Sequence, residues 1–80
     1  MMEEAAVYQK LAGVFRDVFD EENIVLTPET TAEDVEGWDS LGHVRLVLAV
    51  SKAFGVKFSA AQIGALKNVG EFVEIIRAKT

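Results

Sequence analysis

Residues 37–55 read GWDSLGHVRLVLAVSKAFG, running from Gly37 through Asp39, Ser40 and Leu41 to Phe54 and Gly55. Leu41, Val44, Leu46, Val47, Leu48 and Val50 are too dense for a single stripe, so this segment predicts a helix that is apolar on more than one face. Asp39 is a residue type that caps helix starts, and Gly55 is one that ends helices. The helix is therefore expected from Ser40 to Phe54. A helix this apolar needs other elements to cover it, and the flanking sequence supplies them.

Upstream, between Glu3 and Phe19, the residues Val7, Leu11, Val14, Phe15 and Val18 recur at spacings of three and four. That is one face of an amphipathic helix, weakened at Gly13 by up to ~1 kcal/mol relative to Ala. Asp20-Glu21-Glu22-Asn23 breaks the pattern and starts a long connection reaching Trp38. Its apolar residues Ile24, Val25, Leu26, Val35 and Trp38 are expected to anchor it on the core. Thr27-Pro28 and Gly37 signal turns, and Thr31-Ala32-Glu33-Asp34 suits one helical turn. Connections this long are uncommon in compact domains and often functional.

Downstream, Ser59-Ala60-Ala61-Gln62 fits a capping box, with Phe58 and Ile63 as a hydrophobic staple. This short helix is expected to end by Lys67. Asn68, with Glu71 three residues on, starts another through Phe72, Val73, Ile75 and Ile76, and Arg77 and Lys79 suit its C-terminal end. Val56-Lys57-Phe58 alternates like a strand but has nothing to pair with. The expected fold class is all-α: a four-helix bundle of three main helices plus one short one, with a long loop between helices 1 and 2. Residues 1–80 form a single domain on this reading.

Composition narrows the function. Half of the 80 residues are apolar, enough for a core but not for a core plus a deep enzyme cleft. Without cysteine there is no disulfide framework, thiolate metal site or thiol nucleophile, and one histidine excludes a multi-histidine metal site. No metal-binding residues are therefore assigned. The net charge of −5 disfavours nucleic acid as a partner. Charge is unevenly placed: residues 1–40 hold eleven acids against two bases, and residues 41–80 hold two acids against six bases. Met1 to Ala6 carries Glu3 and Glu4, the wrong charge for a signal peptide, and no apolar run approaches the ~20 residues of a membrane span. A cytoplasmic monomer that stands alone from its start methionine is expected.

The chemistry centres on Ser40. If Asp39 caps the helix, the Ser40 hydroxyl lies in the first turn, where free backbone N–H groups and the helix dipole favour an attached anion such as a phosphate ester. The plainer alternative is that Ser40 itself caps the helix. His43, three residues on, invites a Ser-His-Asp reading. That reading fails because Asp39 is badly placed to orient His43, and neither oxyanion donors nor a cleft is evident. His43 is better placed to act locally, partly charged near pH 7 beside an anion attached there.

Asp39-Ser40-Leu41, preceded by Gly37-Trp38 and followed by Val44, resembles the attachment motif of acyl carrier proteins and peptidyl carrier domains. The resemblance extends over essentially the whole chain, in the order and length of its helices. It implies that Ser40 receives 4′-phosphopantetheine from coenzyme A through a phosphodiester, made by a separate phosphopantetheinyl transferase with Mg²⁺. The terminal thiol of that group then carries an acyl or aminoacyl cargo as a thioester. The chain would be a carrier rather than an enzyme, raising the local concentration of tethered cargo at successive partners. Those partners would be an acyl- or aminoacyl-loading ligase and downstream acyltransferase or synthase enzymes. By the same resemblance, Asp39 serves transferase recognition and Leu41 meets the transferase and other partners. Val44 and Leu48 extend Leu41 into an apolar docking strip, while Leu46, Val47, Val50 and Phe54 face the interior as core or as the lining of an acyl pocket.

One departure from the family matters. Fatty-acid carriers have a strongly acidic second helix, whereas here no acid lies between Ser40 and Phe54, and His43, Arg45 and Lys52 are present instead. Arg45 and Lys52 share a face with Leu48 and are expected to contribute to docking, which suggests a specialised carrier rather than one of housekeeping fatty-acid synthesis. The alternative is an unmodified helical interaction domain using the same strip. Gly42, inside the helix, costs stability; it either leaves room beside Ser40 or is simply a weak spot.

Overall fold

The computed structural model describes residues 3–80. The start methionine and the front of the Met1–Ala6 segment lie outside them. Four α-helices follow one another: α1 (Glu4–Phe19), α2 (Ser40–Phe54), α3 (Ala60–Ala65) and α4 (Val69–Lys79), with a 3-10 turn at Ala32–Asp34 in the long connection. The all-α, four-helix expectation is met.

Helix α1 organises the bundle by packing against both α2 and α4. Its spaced apolar residues Val7, Leu11 and Phe15 are wholly buried, as are Leu46 and Val50 from α2 and Val69, Phe72 and Ile76 from α4. Each such side chain contributes roughly 1.5–3 kcal/mol of burial, so the three apolar stripes hold the fold together. The acidic run after Phe19 ends α1 as expected: Asp20 takes the left-handed conformation (φ 54°), which Asp tolerates better than most residues.

The long connection is fastened at two points. Near its end, Val35 and Trp38 are buried, and the Trp38 ring meets Phe15 edge-on with centroids 5.1 Å apart. In its middle, the carbonyls of Thr30 and Pro28 accept the amides of Val69 and Gly70 at 2.8 and 3.0 Å. These amides open α4 and have no partners inside their own helix. Ile24 and Leu26 pack partly against the core, but Val25 is 79% exposed, so it is not the anchor the sequence suggested. In irregular extended chain, neighbouring side chains point opposite ways, and two apolar residues inward leave the one between them outward.

Helix starts are capped where the sequence places them. Ser59 and Gln62 form the reciprocal capping box of α3, and Asn68 Oδ1 accepts the Glu71 amide at 2.9 Å. Glu71 in turn accepts the Lys67 amide rather than that of Asn68. Helix α3 stops at Ala65, short of Lys67, and none of its residues is fully buried. Replacing Asn68 with Ala should lower stability by about 1 kcal/mol, or ~4–8 °C in a thermal melt, and Asn68→Asp should restore most of it.

Candidate functional site

The long loop turns into α2 at Asp39, which has extended backbone geometry and whose Oδ1 accepts the Gly42 amide at 2.8 Å. Asp39 is thus the cap, and Ser40 is the first helical residue. The Ser40 side chain is exposed, and its hydroxyl has no hydrogen-bonding partner among the described residues. Of the two readings left open by the sequence, the one that frees the hydroxyl is the one the fold adopts. The free amides and the positive end of the α2 dipole lie beside it.

Gly42 proves to be neither spare room nor a weak spot. It is buried, and a Cβ there would overlap the Gly37 carbonyl oxygen and lie 3.1 Å from Phe19 Cε1. The absence of a side chain lets the loop cross α2 in contact with its backbone. Gly37, at φ 91°, makes the turn that brings its carbonyl there. The loop is thereby fixed against the helix two residues from the Ser40 hydroxyl.

Along α2 the side chains separate into two faces. Leu46, Val47 and Val50 lie in the core, and Phe54 is half-buried with Lys10 Nζ 5.1 Å from its ring centroid. Leu41, Val44 and Leu48 are 71%, 52% and 59% exposed and follow Ser40 down the outer face. Arg45 and Lys52 are exposed on that face too. The Arg45 guanidinium donates to the Val18 carbonyl at 3.3 Å, one of the terminal carbonyls of α1, so part of its hydrogen-bonding capacity is already used.

His43 lines the same groove as Ser40, but both of its ring nitrogens are engaged elsewhere. Its Nδ1 accepts the Trp38 indole N–H at 2.9 Å, and its Nε2 lies 3.1 Å from the Ile63 carbonyl. A neutral ring satisfies both contacts. This bridge escapes sequence reading because one end is a main-chain carbonyl twenty residues away. Trp38, Asp39, Ser40, His43, Ile63 and Leu66 line an open groove of about 330 Å³ between the start of α2 and the α3 region. A long, thin group attached at Ser40 Oγ would have solvent on one side and this partly apolar groove on the other, so the residues present suit a phosphate-linked arm.

Comparison with known proteins places the chain in a family. The family model described as "Phosphopantetheine attachment site" matches residues 9–76. An acyl carrier protein of Coprothermobacter proteolyticus is 32% identical over 77 residues, covering 96% of this chain and 94% of that one. An acyl carrier protein of Helicobacter pylori is 30% identical over 71 residues, covering 89% and 91%. The solution structure of the holo acyl carrier protein from Geobacter metallireducens superposes with a TM-score of 0.85 at 38% identity, covering 91% of this chain and 84% of that one.

Proposed function

The chain belongs to the phosphopantetheine-attachment family, as an acyl carrier protein, and from that premise we propose that Ser40 is its attachment residue. Members of this family are carriers and not enzymes, and their prosthetic group is covalently attached 4′-phosphopantetheine. When bound, that group supplies a terminal thiol on which acyl groups are held as thioesters. The chain's own residues present the hydroxyl, fix its surroundings and offer a docking face. The observation that carries the Ser40 assignment is the division of labour at the start of α2. Asp39 caps the helix, leaving the exposed Ser40 hydroxyl unengaged at the positive end of the helix.

Incubation with coenzyme A, Mg²⁺ and a phosphopantetheinyl transferase should add the mass of one phosphopantetheine to the chain. No gain from folded protein with transferases of more than one class would point instead to an unmodified interaction domain acting through Leu41, Val44 and Leu48.

The docking face supports a finer reading. Leu41, Val44 and Leu48 are flanked by Arg45 and Lys52, with no acid on α2. A surface of this kind suits partners whose apolar recess is rimmed by carboxylates. The chain on this reading is a specialised carrier in the cytoplasm, loaded by its own acyl or aminoacyl ligase and read by its own acyltransferase or synthase. Asp39 and Leu41 serve the transferase. Leu46, Val47, Val50 and Phe54 make the interior against which an acyl chain would pack. The single domain spans 1–80. Reversing both charges, Arg45→Glu with Lys52→Glu, should slow loading by that ligase about tenfold at low ionic strength and less at high. Unchanged loading kinetics would remove the basic face from the recognition.

A further inference from the structure

The protein has one tryptophan and one histidine, and they are hydrogen-bonded to each other beside Ser40. An indole N–H can only donate, so His43 Nδ1 must accept and cannot carry a proton. The indole N–H reaches Nδ1 at 2.9 Å, with the two ring planes within 19° of parallel. The ring proton is therefore on Nε2, where it is donated to the Ile63 carbonyl. That carbonyl belongs to the last turn of α3, and the Lys67 amide that would have served it in a longer helix turns to Glu71. His43 thus caps the C-terminal end of α3 from another helix.

The contact matters because α3 has little else. It is six residues long, buries none of them fully, and is held by the half-buried Ile63 and Leu66 and by its own capping box. Trp38, on the other side of the ring, is the buried anchor that brings the loop to the Asp39 cap. We propose that His43 is a positioning residue of the attachment groove: in its Nε2–H tautomer it clasps the loop before Ser40 and the α3 wall of the groove together. A proton added at Nδ1 would set two donors against each other and undo the Trp38 half, while the Ile63 half survives. The charged side chains lining the same groove are Asp39, whose carboxylate is engaged by Gly42, and Lys67 from the segment after α3. The bearing of the clasp on the carrier arm rests on the Ser40 reading; the clasp itself rests on geometry alone.

The test is made on the unmodified full chain. Ring ¹⁵N spectra should give His43 an unprotonated Nδ1 and a protonated Nε2. Two variants separate the halves, because an Asn side chain places an acceptor near the Nδ1 position and a Gln side chain places a donor near the Nε2 position. His43→Asn should keep the Trp38 indole N–H protected while amide exchange in α3 quickens about five- to tenfold, as loss of one typical hydrogen bond implies. His43→Gln should do the reverse. An Nδ1–H tautomer in the wild type, or the same exchange pattern in both variants, would overturn the proposal. Should either variant fail to fold, the wild-type tautomer decides. A clasp confirmed in a chain that cannot be loaded would leave this inference standing and remove the Ser40 reading instead.

Discussion

Gly42→Ala should destabilise the protein by about 2 kcal/mol net, lowering the melting temperature by ~8–16 °C. Intrinsic propensity argues the other way, since alanine within a helix is favoured over glycine by up to ~1 kcal/mol. The outcome turns on what the new Cβ would meet. Its nearest neighbour would be the Gly37 carbonyl oxygen, with the Gly37 carbonyl carbon at 3.2 Å, so the obstacle is backbone and not the tip of a flexible side chain. That carbonyl also accepts the Asp39 amide at 3.0 Å, and moving it would disturb the turn that sets the α2 cap. The other neighbour, Phe19, stands in an aromatic group with Phe15 and Trp38 and has little room to yield. Gly13→Ala in α1 is the control: an added Cβ there meets only the end of the Arg16 side chain at 4.0 Å, so propensity should prevail and the melt should rise slightly. A Gly42→Ala melt that also rises would mean the loop is not seated on α2 as described.

The contrast between these two glycines marks what sequence can and cannot convey. The boundaries of α2, the capping box at Ser59 and the Asn68 cap were legible because each is settled within a few residues: Asp39, Gly55, Ser59 and Asn68 act on backbone groups next to them. The burial of Leu46, Val47 and Val50 was implied by the family resemblance and not by spacing, because α2 is apolar on more than one face. Gly42 was misread because its requirement comes from a carbonyl on a loop whose path no local rule gives. Val25 was misread because apolar composition alone does not fix which way a side chain points in irregular chain. His43 drew notice for its distance from Ser40 in sequence, yet its partners are an indole five residues back and a carbonyl twenty residues on. Local chemistry named the right segment; tertiary contacts decided what most of its residues do there.

Ser40→Ala should abolish phosphopantetheine attachment completely while changing stability by less than ~0.5 kcal/mol, and the two readouts belong together. The hydroxyl is exposed and unpartnered, so its removal breaks no contact, and alanine suits the first turn of a helix as well as serine does. Asp39→Ala should behave in the opposite sense for folding. It frees the Gly42 amide and costs about 1 kcal/mol, a few degrees of melting temperature, whatever it does to loading. Asp39→Asn separates the two roles of that residue, because the amide oxygen still accepts the Gly42 N–H while the charge is gone. The Asn variant should melt within a degree or two of the wild type yet load more slowly, since what it lacks is the carboxylate offered to the transferase and not the cap. If Ser40→Ala instead melted lower by the amount expected of a lost cap and Asp39→Ala did not, the capping roles would be exchanged. The Ser40 hydroxyl would then be occupied by its own helix, and the geometric case for its modification would be gone. Mass spectrometry and a thermal melt on the same three variants distinguish these outcomes, because only a hydroxyl that does no structural work can be lost without trace from the fold and without remainder from the function.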